Sequence, residues 1–382
     1  MIIKTNKVLK NAVLRKVPYF ILFLIVIFSF IATYYPLTMH NEHDEEENLE
    51  YFDQFSMKRN VHNEKRDITV LIIVNNLGRA ESEYSISLNT VRCYCQKHNY
   101  RLEIVEDTEF RNFCQQENSM YRRHCIVGHL LRNNDFIFLL DPGMTILNTE
   151  IRLEQFTDEK YALTMFDKFS NWEIETNSYV VKNTYWSRNF LMKLADFESK
   201  LPFSSTDNVA IHILIQKDFY PQFTEEAGTC LKILENLEFS TSNSAIMYTF
   251  EACIRAVIGE NHEFKNLRIL KKGTGWARDI WLTESKWSQQ RDFMLSGLKY
   301  SLKTEISNGI LSNIFLGKES WKSPFLKTPF LGECDEKDWI HDQSLITTKT
   351  EIERYLVEKF KEVEKMRWRS LAAAGNYLSK QS

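Results

Sequence analysis

The alternation of strand-like and helix-like segments after residue 67 constrains the fold of this chain most. Residues 68–75 form a continuous, largely β-branched run (ITVLIIVN), which is typical of a strand buried on both faces. Helical patterns at 82–98 and 122–132 separate this run from an alternating segment at 100–105 and from a second buried run, FIFLL, at 136–140. Strands separated by helices of this length predict right-handed βαβ units and a mainly parallel sheet, hence an α/β fold.

Weaker patterns continue the alternation toward the C-terminus. Further strands are predicted at 161–166 and 178–181, and further helices at 184–195, 207–216, 245–257 and 351–366. The last helix is amphipathic, so it either packs back on the domain or mediates self-association. Neither the Walker pattern nor the Rossmann glycine pattern follows the first strand, so neither phosphate-binding loop is predicted.

The N-terminal segment predicts a membrane anchor. Residues 17–39 contain no charged side chain and are long enough to cross a bilayer as a helix, which takes ~20 residues. Five basic residues precede this segment, and six acidic residues follow it between positions 42 and 50. The asymmetry predicts a single-pass type II protein with a cytosolic tail at 1–16, a polar stem at 40–66 and a lumenal C-terminal domain. A cleaved signal peptide and a buried core helix are the alternatives.

The charge balance bears on which partners the chain can bind, and the cysteines bear on its cellular compartment. Five of the 48 basic residues lie in residues 1–16, so the remainder carries 43 basic and 51 acidic residues, which argues against nucleic acid as a partner. All seven cysteines follow the predicted anchor, where an oxidising lumen permits disulfides. Their odd number leaves at least one thiol unpaired or paired between chains. Cys93 and Cys95 point apart on a predicted helix, so we expect no shared metal site.

Polar residues follow two of the predicted buried strands. Ligands of open α/β sheets bind beyond the carboxyl ends of the strands, here after Asn75 and at Asp141. A second carboxylate two positions after Asp141 would complete a site for Mn²⁺ or Mg²⁺, but Gly143 stands there. The sequence Asp141-Pro142-Gly143 is equally adequate as a simple turn, so both interpretations stay open.

Six long strings extend the argument beyond single residues. They are LGRAESEYSISLNTVRCYCQKHNY (77–100), YRRHCIVGHLL (121–131), FDKFSNWEIETNSYVVKNTYWSRNFL (166–191), FESKLPFSSTDNVAIH (197–212), FEACIR (250–255) and KGTGWARDIWLTESKWSQQRDFMLSGLK (272–299). They resemble the nematode family catalogued as domain of unknown function 273, which is similar to the yeast-type Golgi galactosyl- and mannosyltransferases. The resemblance implies a GT-A-like (Rossmann-like) nucleotide-diphospho-sugar transferase domain at 67–300, followed by a C-terminal helical extension at 301–382.

The same resemblance assigns roles to individual residues. The family has Asp-Ala-Asp where this chain has Asp141-Pro142-Gly143, and a histidine ligand where this chain has Ser296. Two of three implied metal ligands have therefore changed, which weakens the expectation of bound Mn²⁺ or Mg²⁺. Lys299 is implied to meet the donor's diphosphate. Asp207, beside Asn208 in a polar turn, is implied to orient an acceptor hydroxyl or to stabilise an oxocarbenium-like transition state.

Four further residues are candidates for binding. Asn75 and Arg79 could contact the nucleotide, although a turn with a solvated arginine fits as well. Arg123 lies near the donor site by resemblance, and a surface helix face is its alternative. Trp276, close to Asp279, suits a glycan subsite because sugars stack on aromatic rings, with core packing as the alternative.

Together these features predict a type II Golgi membrane protein that transfers a hexose, with galactose as the example, from a nucleotide-sugar donor to a glycan acceptor. The alternative is a catalytically weakened or inactive homologue that binds a nucleotide, a glycan or a partner transferase. Homo-oligomerisation stays open, and a membrane-tethered structural protein is the third hypothesis.

Overall fold

The computed structural model describes residues 66–201, 205–235, 243–259, 261–298, 322–327, 334 and 339–379. The predicted cytosolic tail and anchor, all but the last residue of the predicted stem, and Lys299 lie outside these ranges. Within them, no helix combines the length and the apolar character that a membrane crossing needs.

A six-stranded mixed sheet with the strand order β2-β1-β3-β6-β5-β7 lies at the centre of the described fold. Its strands are β1 (Ile68–Val74), β2 (Arg101–Glu106), β3 (Phe136–Leu140), β5 (Leu163–Phe166), β6 (Tyr179–Lys182) and β7 (Leu267–Leu270). β1 pairs in parallel with β2 and β3, and β7 pairs in parallel with β5. This confirms the predicted mixed α/β class and a sheet rich in parallel pairs.

One strand departs from the expected direction. β6 runs antiparallel to both β3 and β5. Residues 167–178, which join β5 to β6, contain no helix, and a parallel connection needs a crossover that is usually helical. The chain therefore returns along its neighbour in the opposite direction.

The sheet is covered on both faces, as the buried runs predict. Every residue of β3 is buried, and successive side chains alternate between two core clusters. Leu139 joins the cluster that contains Val209 and Phe250, whereas Phe138 joins the cluster that contains Leu88. Helices thus pack on both sides of the central strands, which leaves only the strand ends to form a site.

Eight α-helices lie in the described residues. They are α1 (Leu77–Glu83), α2 (Ser85–His98), α3 (Ser119–Leu130), α4 (Tyr185–Ala195), α5 (Asp207–Phe219), α6 (Thr224–Leu234), α7 (Asn243–Ile258) and α8 (Lys349–Ser379). The predicted helix at 82–98 begins only at Ser85, and the prediction missed the separate helix α1, which Asn76 caps by accepting the N–H of Arg79. α8 packs back against α6 and α7, with Ile352 and Leu356 buried.

A small second sheet was not predicted, because strands of two or three residues carry no usable pattern. It has the order β4-β9-β8 and consists of β4 (Thr145–Ile146), β8 (Ala277–Asp279) and β9 (Met294–Ser296). The strands β10 (Phe325–Lys327) and β11 (Ile340–His341) pair antiparallel and form a third sheet of two strands. The second sheet matters because it brings the end of β9 to the loop after β3.

Six of the seven cysteines form disulfides, namely Cys93–Cys334, Cys114–Cys125 and Cys230–Cys253. The remaining thiol, Cys95, is buried, and burial raises its pKa to about 12. Of the two alternatives for the odd cysteine, the burial of Cys95 favours an unpaired thiol over a bond between chains. Cys95 is a poor nucleophile at neutral pH because little of it is thiolate.

Candidate functional site

The site lies where the direction of the strand order reverses. From β1 the chain goes outward to β2 and then returns past β1 to β3, so a crevice is expected between the carboxyl ends of β1 and β3. Asn75 follows β1 on this edge and is exposed. Arg79 is also exposed, and its Nε donates to Glu83 Oε1 at 2.7 Å. The structure therefore places both predicted nucleotide contacts on the surface beside the crevice.

Asp141 follows β3 on the same edge and begins a closed turn. Its Oδ1 accepts the N–H of Gly143 at 2.8 Å, and its carbonyl accepts the N–H of Met144 at 3.0 Å. A Cβ on Gly143 would lie 3.1 Å from Asp141 Oδ1 and 3.4 Å from the Tyr84 ring. The turn is thus shaped around a residue without a side chain.

The residue that replaces the expected histidine lies next to this turn. The carbonyl of Gly143 accepts the N–H of Gly297 at 3.2 Å, which places Ser296 at the end of β9 beside the turn after β3. The donors at this point are one carboxylate, already bonded through Oδ1, and a hydroxyl. Among the described residues, no three His, Cys, Asp or Glu side chains converge as metal ligands would. This donor set does not fit a resident Mn²⁺ or Mg²⁺, which prefer several carboxylate oxygens.

A lysine surrounded by carboxylates lies on the loop after β5. Lys168 Nζ is 2.9 Å from Glu173 Oε2, and Glu175 and Asp279 also act on its charge. Burial opposes the charged form of Lys168, but these carboxylates outweigh burial and raise its pKa. Burial also raises the pKa of Glu175, and the nearby charge of Asp141 adds to that shift. The charge of Asp141 therefore reaches this loop.

Asp207 begins α5 as a buried carboxylate with two basic partners. Arg123 of α3 donates to Asp207 Oδ2 through Nε at 3.1 Å and through Nη2, and His124 Nε2 lies 2.9 Å from the same oxygen. Burial opposes ionisation, but the Arg123 guanidinium and the His124 hydrogen bond lower the pKa of Asp207 below its usual range. Asp207 is therefore a carboxylate at neutral pH, and none of its described hydrogen bonds uses Oδ1.

His124 is held in its neutral form. Burial lowers its pKa more than the bond to Asp207 raises it. The Tyr179 hydroxyl lies 3.1 Å from His124 Nδ1, so it donates to that nitrogen while Nε2–H donates to Asp207. The carboxylate thus has one full positive charge beside it, that of Arg123.

The turn at Asp207 is tied to the loop after β5 by a threonine. Thr176 Oγ1 donates to Asn208 Oδ1 at 2.5 Å and accepts from Arg123 Nη2 at 3.3 Å. Thr176 is fully buried, so water does not compete for these bonds. The network fixes the side chain of Asn208 relative to Asp207.

The structure brings three of the predicted site residues into one hydrogen-bonded network, in which Arg123 binds Asp207 directly and Thr176 links Arg123 to Asn208. Asp141 lies outside these hydrogen bonds, although its charge acts on the pKa of Glu175, as that of Arg123 does. All of them lie at the carboxyl edge of the sheet or at the helix ends beside it. Lys299 falls outside the described residues.

Trp276 does not join this network, and its prediction as a sugar platform is wrong. It is 1% exposed, its indole N–H donates to Ser178 Oγ at 2.9 Å, and its ring lies 4.8–4.9 Å from Phe166 and Phe138. Aromatic rings that already pack against their neighbours have no free face for a sugar. A tryptophan near an acidic residue in the sequence is therefore weak evidence for a sugar-binding site, because tryptophans also pack in protein cores.

Sequence reasoning missed the three site residues on the loop after β5, namely Lys168, Glu175 and Thr176. The available signal was their position, because they follow a predicted strand whose carboxyl end was expected at the same edge as Asp141. Asp167, at the start of this loop, is bound by Arg255 and His262 instead, each at 3.0 Å.

Comparisons with known proteins give a family and a distant structural likeness. A glycosyltransferase involved in the glycosylation of the major capsid of PBCV-1 is 12% identical, with a TM-score of 0.35 over 60% of this chain and 91% of that chain. Likeness at this level does not bear on what the present chain binds. No curated protein matches the chain. A family model matches residues 91–313, more than half of the chain, and the chain therefore belongs to the family described as "Protein of unknown function, DUF273".

Proposed function

We propose that this chain is a glycosyltransferase with a GT-A-like domain at about residues 67–300, which transfers a hexose from a nucleotide-sugar donor to a glycan. One observation carries the proposal. An ionised carboxylate, Asp207, is held at the start of α5 by Arg123 and His124, and none of its described hydrogen bonds uses Oδ1. A carboxylate held in this way can accept a sugar hydroxyl or stabilise positive charge on a sugar ring.

The chemistry of glycosyl transfer explains why such a carboxylate is needed. The transition state has oxocarbenium character, and a fixed negative charge near the anomeric carbon lowers its energy. Arg123 and His124 hold Asp207 so that this charge does not need to reorganise during the reaction. Asp207 lies in the first turn of α5, where the helix dipole also favours the anion.

The nucleotide part of the donor fits the crevice at the reversal of the strand order. Asn75 and Asp141 border its two sides, where the donor's ribose and phosphates would lie. Lys299, by resemblance to the transferases, supplies a positive charge for the diphosphate. Arg79, whose side chain is 72% exposed, follows β1 on the same edge and would add a second positive charge near the phosphates.

The proposed compartment is the Golgi membrane, with the C-terminal domain in the lumen. The charge-free segment at 17–39 and the charges that flank it support a type II anchor. Three disulfides support an oxidising lumen, since such bonds are rare in reducing compartments. Both arguments are independent of the catalytic proposal.

A second candidate function rests on the turn after β3. Gly143 and Ser296 lie side by side where the resemblance implies an aspartate and a histidine. A homologue that lost these ligands would keep the crevice and Asp207 but would bind a nucleotide or a glycan without efficient turnover. It would act as a binding protein or as the partner of another transferase.

The test uses the full chain purified in detergent. Calorimetry with UDP and UDP-galactose, with and without Mn²⁺, measures binding, and UDP release with and without glycan acceptors measures turnover. We expect saturable binding and turnover, and we expect Asp207→Asn to lower turnover at least ~100-fold because one fixed charge near the reaction centre is lost. Asp218→Asn is the matched control, since Asp218 lies at the other end of α5 and pairs with Lys193.

The outcomes separate the candidates. Turnover that survives Asp207→Asn within twofold would remove Asp207 from the reaction. Saturable binding without turnover, whatever the acceptor, would establish the second candidate. A chain that binds no nucleotide and no nucleotide sugar would refute both.

A further inference from the structure

A pocket of about 400 Å³ opens beside the amino end of β3, at the edge of the sheet opposite the candidate functional site. β6 runs antiparallel to β3, with Lys182 paired to Phe136, so the end of β6 lies beside the start of β3. The turn that precedes β3 and the helix that follows β6 form the pocket. Asp141 lies beyond the other end of β3, whose five residues span roughly 17 Å. The pocket is therefore separate from the site at the carboxyl ends of the strands.

Four of the five lining residues lie on one face of α4, and the fifth lies on the turn after α3. The four have the i, i+3, i+4, i+7 spacing of a helical face, and together with the fifth they are Tyr185, Arg188, Asn189, Met192 and Arg132. None of the five is acidic. The pocket thus offers a ligand two positive charges, an amide and an apolar surface.

Asn183, between β6 and α4, brings the two arginines to the same pocket. Its Oδ1 accepts from Arg188 Nη1, and its Nδ2 donates to the Arg132 carbonyl at 3.5 Å. The backbone N–H of Asn183 donates to the Asp135 carbonyl at 2.8 Å, which holds it beside the turn that carries Arg132. Both ends of one amide therefore fix how the turn and α4 lie at the pocket.

Neither guanidinium of the pocket has a carboxylate partner in the part of the chain that the structure describes. Arg188 makes one described side-chain bond, to Asn183, and the guanidinium of Arg132 makes none. Arg122 and Arg123, by contrast, each bind a buried aspartate. A guanidinium has five N–H donors in a planar fork, which matches the oxygens of a carboxylate or phosphate and of a sulfate group. The pocket therefore keeps most of its donors for an anion.

The same pocket exposes an aromatic ring and a thioether to water. Tyr185 is 81% exposed and Met192 is 38% exposed, and they are two of the seven exposed large apolar side chains among the described residues. Tyr185 makes no ring contact within those residues, so a face of its ring is open to a ligand. The C–H face of a sugar stacks on such a ring. An anion that carries a sugar ring would use both parts of the lining.

The size and the composition of the pocket favour this ligand over other anions. A free sulfate or phosphate is only a few times larger than a water molecule of ~30 Å³, whereas pockets for small organic ligands measure ~300–1,000 Å³. Anionic membranes are bound by clusters of about 4–8 basic residues, and this pocket has two. A nucleotide would have only the Asn189 amide to pair with the polar edge of its base. Sugar hydroxyls, by contrast, can stay in water at the open side beside Tyr185.

We propose that this pocket binds an acidic saccharide, with its carboxylate or sulfate group on Arg132 and Arg188 and a sugar face on Tyr185. It is a second glycan site, at the opposite end of β3 from Asp141. The inference goes beyond the proposed function and holds for either candidate function, because the pocket shares no residue with the nucleotide crevice.

The experiment titrates the full chain in detergent with a chondroitin 4-sulfate disaccharide, which carries one carboxylate and one sulfate, and follows binding by calorimetry. The unsulfated disaccharide and galactose 6-sulfate separate the two anionic groups, and lactose is the neutral reference. Sodium sulfate, UDP and a phosphotyrosyl peptide represent the other occupants. The variants are Arg132→Gln, Arg188→Gln and Tyr185→Ala. Arg354→Gln is the matched control, because Arg354 is an exposed arginine on α8, outside the pocket.

We expect the wild-type chain to bind the acidic disaccharide at least ~10-fold more tightly than lactose, because charged hydrogen bonds are the strong ones. Arg132→Gln and Arg188→Gln should each remove about tenfold of that affinity. Tyr185→Ala should weaken binding about fivefold through the lost stacking surface. Arg354→Gln should leave the affinity within about twofold of the wild-type value, and all four variants should bind UDP as the wild-type chain does.

Several results would overturn the inference and leave the proposed function intact. They are equal affinity for the acidic disaccharide and lactose, equal affinity of Arg132→Gln and the wild-type chain, and tighter binding of sodium sulfate or the phosphotyrosyl peptide than of the disaccharide. Displacement of the disaccharide by UDP would also overturn it, since the pocket would then be a nucleotide site. Arg132 is exposed and its guanidinium makes no described bond, so Arg132→Gln is expected to fold. A chain that binds the disaccharide but no nucleotide refutes the proposed function and supports this inference.

Discussion

The ion pair between Arg123 and Asp207 allows the sharpest test of the electrostatics. The Asp207 side chain is 1% exposed and that of Arg123 is 16% exposed, so the pair is largely hidden from water. Replacing Arg123 by methionine keeps the bulk of the side chain and removes the charge. Removing one partner of a buried pair costs about 3–5 kcal/mol, because the remaining charge is left uncompensated, which is a large part of the ~5–15 kcal/mol that stabilises a domain.

The sign of the pH dependence should also reverse at Asp207. In the wild-type chain the folded pKa lies below the unfolded value of ~3.9, so the contribution of Asp207 is complete above pH ~4 and is lost as the pH falls through the folded pKa. In Arg123→Met, burial without the cation raises the folded pKa above the unfolded value. The contribution is then present below pH ~4 and is lost as the pH rises, so the destabilisation by the substitution grows from pH 4 to pH 7.

Urea denaturation followed by tryptophan fluorescence at pH 4, 5.5 and 7 measures both effects. Lys193→Met is the control, because Lys193 pairs with Asp218 at 3.0 Å but is 45% exposed, so its removal should cost no more than ~1 kcal/mol. A loss below ~1 kcal/mol in Arg123→Met, or a loss that does not change with pH, would refute the assignment of Asp207 as a charge held by Arg123.

Three further predictions concern other parts of the fold. Gly143→Asp together with Ser296→His should raise the affinity for Mn²⁺ about tenfold by calorimetry, since two ligands then join Asp141. An unchanged affinity would show that these three positions do not form a cation site. Glu251 is fully buried, and neither of its carboxylate oxygens is hydrogen-bonded to any of the described residues. Burial raises its pKa, so its contribution to stability is lost as the pH rises. Glu251→Gln should therefore melt at a higher temperature than the wild-type chain at pH 8, with a gap that disappears toward pH 4; a gap that is the same at both pH values would contradict this. Cys95 should resist maleimide at pH 7 in the folded chain and react after unfolding without reductant, and rapid labelling of the native chain would contradict its burial.

The parts of the fold that sequence reasoning found are those with a strong local signal. The runs that became β1 and β3 are buried on both faces, and only strands packed between helices need apolar side chains at every position. The direction of β6 was not predicted, because direction depends on the connection and not on the strand itself. The three-residue strand β9, which places Ser296 beside Gly143, has no pattern that distinguishes it from a loop.

The candidate site divides in the same way. Asp141 and Asp207 were identified because one follows a buried run and the other begins a helix within a resembling string. Thr176 was missed because its role depends on two partners distant in sequence, Arg123 and Asn208, and nothing local to residue 176 indicates either contact. Trp276 was predicted to contact a sugar but lies in the core, because the sequence shows its residue type and not the direction in which its ring points.

The loop that carries Lys168, Glu175 and Thr176 explains how a segment without regular structure can position a site. Its Trp172 indole donates to the Tyr248 carbonyl on α7 at 2.6 Å, and Lys272 Nζ, which follows β7, donates to the Lys168 carbonyl at 2.7 Å. These bonds tie the loop to elements on either side of it, so few of its conformations are compatible with the fold. A loop restrained in this way loses little entropy when a ligand binds, because the fold itself already sets the orientation of Thr176.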